Sequence, residues 1–279
     1  MTDEPILLTD DPSPGVRRIT LNRPNKRNAL SNELRGQLFA ALEAADQDPN
    51  VRVMIIRGAG KCFSSGYDLE GVGALPFHTA GNQGSWARHV VEGCFRMWDM
   101  AKPIIAQVHG WCLAGGSELA FACDLVYIAE DAQVGYPPVR TMSPPDNQFY
   151  PWLMGMRAGM EMMLTGDSIS GVEAVRLGFA NRAHPVEELD GAVLAMAERI
   201  AKVDPQLAQL NKRLVHRQME AMGMRAGLRA GTDLHALGWS TKASREYMAK
   251  MREGVKEALT ARDSTFGDYR TGDKAPTQA

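Results

Sequence analysis

Glu118 follows Gly115 by three residues, where an apolar, β-branched run (Ile104, Ile105, Val108) gives way to small and apolar residues (Leu119, Ala120, Phe121, Ala122). A glycine pair at the start of a helix, here Gly115-Gly116, lets a ligand come close to the backbone and leaves free N–H groups facing it. The helix dipole adds partial positive charge, so an anion or a developing oxyanion would be stabilised there. Three residues is about one helical turn, so the Glu118 carboxylate can face the same space. The chemistry on offer is acid–base work beside an oxyanion. A tightly packed strand–helix junction with a surface glutamate would need the same residues, so context must decide.

A second turn has similar character. A largely buried strand over 51–57 runs into a glycine-bearing segment, and Ser64-Ser65-Gly66 again offers backbone N–H groups. Gly60-Lys61 is not part of a nucleotide P-loop: that motif needs Gly at 55 and Ser or Thr at 62, where Ile55 and Cys62 stand. Arg23, Lys26 and Arg27 share one loop and could grip phosphates, although a solvated loop carries the same charges.

The elements that would position these residues alternate. Short strands are expected over 6–8 and 16–21 around a turn at 10–15. Ser31 is a good N-cap for a helix to about Ala45, with Glu33 in its first turn and Leu34, Leu38, Ala41 and Leu42 on one face. Residues 70–100 start glycine-rich and become amphipathic from Ser85, which fits a loop feeding a helix. Strands follow over 125–129 and 132–135. Four prolines between Tyr136 and Asp146 fix a loop and exclude a helix there. Residues 157–165 read as a helix, 165–170 as a turn and cap, and 171–177 as a short helix ending at Gly178. Helices are then expected over 187–203, 205–222, 224–238 and 242–262. This order gives an α/β core over 1–200 and a helical region over 201–279.

Composition bounds the function. The chain has 279 residues, enough for one large core, and its net charge of −2 argues against a nucleic-acid or membrane-surface binder. Four scattered cysteines, Cys62, Cys94, Cys112 and Cys123, form no C-x-x-C pair, so neither a metal site nor a disulfide framework is expected. No apolar stretch approaches a membrane span, and the acidic start Met-Thr-Asp-Glu-Pro lacks the order of a signal peptide. A cytoplasmic protein is expected.

Four motifs in order then resemble one family. Asn22-Arg23-Pro24 with Asn28-Ala29-Leu30 resembles the first loop of the crotonase, or enoyl-CoA hydratase/isomerase, superfamily. Phe63-Ser64-Ser65-Gly66-Tyr67-Asp68-Leu69 resembles its F-[SA]-A-G-x-D-[LI] turn. Val108 to Asp124 resembles its glycine-rich signature, with Ala114 in place of the first of three glycines. Leu164-Thr165-Gly166 with Ala174 to Gly178 resembles a further block, so the resemblance covers nearly the whole chain.

The resemblance implies a spiral of β-β-α units and a helical C-terminal region that builds trimers, some paired into hexamers. It implies an acyl-CoA thioester as substrate, with no separate cofactor and no metal. The thioester oxygen would lie between the N–H groups of Tyr67 and Gly115. Arg23, Lys26 and Arg27 would lie near the CoA phosphates, the Ser65 carbonyl near the adenine, and Asp68 beside them; Glu70 stands where relatives often carry a cation. Glu118 matches the first of two glutamates with which the family's hydratases handle water. The second belongs in a G-Q-P-E loop that here reads Gly135-Tyr136-Pro137-Pro138, and proline has no acid or base to offer. Eight residues on, Asp146 has the spacing at which the family's dienoyl-CoA isomerases and 4-chlorobenzoyl-CoA dehalogenases place a functional aspartate; it also reads as a helix N-cap. His89 lies where some relatives place a pocket histidine, and Tyr136 and Trp152 could wall an acyl pocket; all three also fit a plain core or surface. The expected activity is enoyl-CoA hydration. Double-bond isomerisation, a hydrolase or dehalogenase-like reaction through Asp146, and a non-catalytic acyl-CoA-binding protein are the alternatives.

Overall fold

The computed structural model describes residues 4–70, 73–79, 81 and 84–268. Parts of the glycine-rich stretch after Glu70, and of the region expected over 201–279, lie outside them.

Strands β1 (Leu7–Ser13) and β2 (Val16–Leu21) form an antiparallel hairpin, longer in its first arm than the sequence predicts. Helix α1 (Asn32–Gln47) starts at Ser31, whose hydroxyl accepts from the Leu34 N–H at 3.2 Å. Leu34, Leu38, Leu42 and Ala45 bury one stripe of it. Strand β3 (Val53–Gly58) begins with four buried apolar residues, as a strand covered on both faces requires. Helix α2 (Ser85–Asp99) leads to β4 (Ile104–Val108).

From there the chain climbs in β-β-α steps, feeding one strand to each of two sheets. β5 (Trp111–Leu113) and α3 (Gly115–Ala122) follow β4; β6 (Leu125–Ala129) and β7 (Gln133–Gly135) follow α3. Helix α4 (Tyr150–Thr165), strand β8 (Ser168–Ser170), helix α5 (Gly171–Leu177) and strand β9 (Arg182–His184) complete the core. The large sheet has the order β1-β2-β3-β4-β6-β9, parallel after the first hairpin; the small one runs β5-β7-β8. This is the α/β spiral that the sequence predicts.

Among the described residues only helices follow: α6 (Val186–Ala201), α7 (Pro205–Ala221), α8 (Met224–Trp239), α9 (Lys242–Glu253) and α10 (Val255–Ser264). Helix α6 lies against the large sheet, while α7 and α8 pack on α2. Asp124 fastens α7: its carboxylate meets Lys212 Nζ and His216 Nε2, each at 2.9 Å, and Lys212 also donates to the carbonyls of Met97 and Lys102 at 3.0 Å. Among the described residues no helix is long and apolar enough to cross a membrane.

Several local expectations need correction. The proline loop holds a 3-10 turn, Pro137–Arg140, because prolines in the first turn have no N–H that the turn would use. Residues 168–170 pair as β8 rather than forming only a turn, although Ser170 does cap α5, accepting from the Glu173 N–H. The helix expected at 157 begins at Tyr150, with Gly155 (φ 74°) breaking it internally. The single helix expected over 242–262 is two, separated at Gly254, the weakest helix former in the stretch after proline.

Candidate active site

The glycine turns reach one another through backbone pairing. The Phe63 N–H donates to the His109 carbonyl (2.8 Å), Ser64 N–H to Trp111 (3.0 Å), and Leu113 N–H to Ser64 (3.0 Å), so residues 63–64 run as an extra strand along β5. Buried Asn28 locks the first loop to this strand. Its amide donates to the carbonyls of Ala59 and Cys62, its Oδ1 accepts from the Arg23 N–H, and its own carbonyl accepts from Ser64 Oγ. The approach is too close for side chains: a Cβ at Gly116 would lie 2.5 Å from the Ser64 carbonyl oxygen, and one at Gly115 would lie 2.6 Å from the Tyr67 ring.

Tyr67 and the first residue of α3 therefore stand side by side. Leu30 N–H bonds to Gly66 and Asp68 N–H bonds to Leu30, which turns the Tyr67 N–H to the other side of its strand. Among the described residues, neither the Tyr67 nor the Gly115 N–H donates to a protein acceptor. These are the two donors expected to face a thioester oxygen. Ala114, just before, holds φ 49° and ψ −123°, a conformation suited to the glycine that the motif usually carries.

Glu118 is buried, 3% exposed, and its carboxylate is fully engaged. Oε2 accepts from the Tyr67 hydroxyl at 2.8 Å and Oε1 from the Asn147 N–H at 3.0 Å. Burial first, and the nearby Asp146 carboxylate second, raise its pKa well above the ordinary carboxylate value despite these bonds. Burial and the Glu118 charge likewise raise the Tyr67 phenol, which stays protonated as a donor.

Asp146 comes from the proline loop and is equally buried. Oδ2 accepts from the Tyr136 hydroxyl at 3.0 Å, and His235 Nε2 of α8 lies 3.3 Å from Oδ1. Burial raises its pKa; His235, the Tyr136 bond and Arg35 act in the opposite direction. Arg35 of α1 is a buried guanidinium, centred 5.4 Å from the Tyr67 ring and 5.0 Å from the Trp86 ring.

Two cavities meet at Tyr67 and Leu30. A small one of about 40 Å³ is lined by Arg35, Gly115, Glu118 and Asn147 among apolar residues of α1 and α2. The large one, about 1140 Å³, runs past Tyr136, Pro138, Asp146 and His235 to the first loop and to the inner side of α9 and α10. Lys26, Arg27, Ser65 and Asp68 line it, with Arg252 and Lys256 from the C-terminal helices opposite. Lys26 pairs with Glu70 (2.6 Å), whereas Arg27 has no carboxylate partner among the described residues. Arg23 is outside the lining; its guanidinium pairs with Asp68 at 2.8 Å and bonds the Ala29 carbonyl.

The remaining candidates sit elsewhere. His89 is buried in α2, stacked on Phe77 at 3.9 Å, with its pKa pushed down to about 4 by burial and then by Arg35 and Arg96. Trp152 packs near Gly227 of α8, outside both cavities. The sequence reading missed Arg35, His235 and the Tyr67 side chain. Arg35 follows Leu34 at the edge of an otherwise apolar face, a sign of burial that could have been noticed; nothing local marks His235.

Comparison with known proteins places the chain in a family. The family model described as enoyl-CoA hydratase/isomerase matches residues 11–267. A mitochondrial enoyl-CoA hydratase of Pongo abelii is 31% identical over 257 residues, which is 91% of this chain and 84% of the relative. The crystal structure of an enoyl-CoA hydratase/isomerase from Xanthobacter autotrophicus Py2 superposes with a TM-score of 0.84 at 33% identity, covering 94% of this chain and 98% of that one. An enoyl-CoA hydratase from Mycobacterium smegmatis gives a TM-score of 0.87 at 29% identity, covering 96% and 97%. With a family match over residues 11–267 and a shared fold, this chain belongs to the enoyl-CoA hydratase/isomerase family and has the crotonase fold.

Proposed function

We propose that the protein adds water across the double bond of a 2-enoyl-CoA thioester. The observation that carries the reading is the buried Glu118 carboxyl beside the unused N–H groups of Tyr67 and Gly115. A thioester oxygen placed between those donors gains negative charge as water adds at the β-carbon. Fixed N–H donors stabilise such charge by about 3–4 kcal/mol each.

Hydration needs one base for the water and one acid for the α-carbon. Asp146 takes the place of the glutamate that Pro138 removes. Burial raises the pKa of both carboxyls. At Asp146 the rise is opposed by His235, the Tyr136 hydroxyl and Arg35, whereas at Glu118 the Asp146 charge adds to it, so Asp146 is assigned as the base and Glu118 as the group that holds a proton. A bell-shaped pH profile follows, its acid limb set by Asp146 and its alkaline limb by Glu118.

Lys26, Arg27, Arg252 and Lys256 give the large cavity a cationic mouth suited to the CoA phosphates. A pocket for binding alone would have no use for a carboxyl buried at the cost that Glu118 incurs, which argues against a non-catalytic role. An exposed apolar row on α7, Leu207, Leu210, Leu214 and Val215, supports assembly into homo-oligomers. Pro138 on the cavity wall favours a second reading, double-bond isomerisation, in which Glu118 alone carries the proton between carbons.

Calorimetry and turnover with crotonyl-CoA test the first reading. Glu118→Gln should bind the thioester as the parent does and lose hydration by about 10²–10⁴-fold. Retained turnover would remove Glu118 from the mechanism, and absence of binding by the parent would remove the thioester.

A further inference from the structure

His235 lies on the opposite side of the molecule's sequence from the motifs, yet its ring meets Asp146 inside the large cavity. Both are about 5% exposed at the side chain, and each ring nitrogen of His235 faces an oxygen. Nδ1 is 3.0 Å from the Pro144 carbonyl, which can only accept, so Nδ1 carries hydrogen. Nε2 faces Asp146 Oδ1 at 3.3 Å. The contact lacks hydrogen-bond geometry and Oδ1 has no hydrogen-bond partner among the described residues, so a further proton on either group would relieve the bare lone pair set against a carboxylate oxygen. Placed on the ring, it makes an imidazolium–carboxylate pair; placed on Oδ1, it makes a neutral pair.

We propose that His235 is the positioning residue for Asp146, pairing with Oδ1 as an imidazolium and holding the carboxylate ionised and aimed into the cavity. Pro144 makes the arrangement local: its carbonyl orients the ring, and two residues later the same loop presents the carboxylate. Other groups facing Asp146 are the Tyr136 hydroxyl on Oδ2, the Arg35 guanidinium from α1 and the Glu118 carboxyl from α3. Tyr136 and Arg35 favour the anion and Glu118 opposes it, so loss of His235 removes the one basic side chain within 4 Å among the described residues. The Trp239 ring, centred 6.0 Å from that of His235, closes the outer side.

The proposal rests on the hydratase reading only for its catalytic consequence; the pairing itself can be read without turnover. Carbon-13 NMR of protein labelled at the aspartate carboxyls, with the Asp146 signal assigned by Asp146→Asn, gives its titration midpoint directly. In His235→Gln, which keeps a donor near the Nε2 position without charge, the midpoint should rise by about one pH unit or more, a tenfold change in the ionisation constant. Should His235→Gln not fold, His235→Asn, with the Nδ1 donor kept, serves in the same experiment. A midpoint unchanged in the folded variant would overturn the proposal.

Activity separates the two claims. Where Asp146 is the base, the acid limb of the crotonyl-CoA rate profile should move up with the NMR midpoint in His235→Gln, and the rate should approach that of the parent at high pH. A loss equal at every pH would reduce His235 to packing. An Asp146→Asn enzyme of undiminished rate would instead sink the assignment of Asp146 as base, while leaving an observed midpoint shift, and hence the ion pair, intact.

Discussion

The Tyr67 hydroxyl donates to Glu118 Oε2 at 2.8 Å, so one residue serves the site twice, through its backbone N–H and through its phenol. Gly115 makes this possible, because the ring lies where any Cβ at that position would be. Tyr67→Phe keeps the N–H and removes the phenol. A hydrogen bond to a charged group contributes about 1.5–3 kcal/mol, so kcat for crotonyl-CoA should fall roughly 10- to 100-fold with little change in KM. The bond favours ionised Glu118, so its loss should move the alkaline limb of the pH–rate profile further up. Steady-state kinetics across pH check both.

Gly115→Ala puts a methyl group 2.6 Å from Cε2 of Tyr67. The ring must shift, which breaks its bond to Glu118 and displaces one N–H donor together. The expected loss of kcat is larger than that of Tyr67→Phe, about 10²-fold or more. A circular dichroism spectrum like that of the parent would show that the loss is local.

Ala114 holds a positive φ that its neighbours impose. Strain of this kind costs of order 1–3 kcal/mol for a non-glycine residue, while glycine loses about 0.4–1 kcal/mol through its freer unfolded chain. Ala114→Gly should therefore raise stability by about 1 kcal/mol in urea unfolding. Its kcat should stay close to that of the parent.

Pro138→Glu places a carboxyl on the wall of the large cavity. With a further acid–base group added to Glu118 and Asp146, hydration should gain on isomerisation. The ratio of 3-hydroxyacyl-CoA to shifted enoyl-CoA product, read by liquid chromatography, should rise.

Lys212 is 8% exposed and meets Asp124 at 2.9 Å between α7 and the core. Lys212→Met leaves the half-buried Asp124 without that cation, a change that costs about 3–5 kcal/mol when the pair is fully enclosed. His216 at 2.9 Å on Oδ1 holds part of the charge, so the lower end is expected in urea unfolding.

Much of this arrangement can be read in the sequence because it is local. Gly115, Gly116 and Glu118 sit on one turn of helix, and Ser64 to Tyr67 follow directly from a strand of evident apolar character, so motif spacing carries the geometry. The three-residue strands β5, β8 and β9 are too short for any periodicity to show; they exist because neighbouring strands offer them partners. His235 and Tyr136 converge on Asp146 from positions 89 residues after it and ten residues before it, the first brought there by the packing of α8 in the tertiary fold. Arg35 looks like a surface cation beside an apolar stripe until Tyr67 and Trp86 cover it. The break at Gly254 lets α10 pack against α9, and Arg252 and Lys256, on either side of the break, both line the large cavity.

The most direct measurement is incubation of the protein with a panel of 2-enoyl-CoA thioesters in heavy water, read by mass spectrometry. The account expects at least one thioester to gain the mass of one heavy water, with the gain lost in both Glu118→Gln and Asp146→Asn. Deuterium uptake without added water would contradict hydration and leave the isomerase reading; no change across the panel would contradict both.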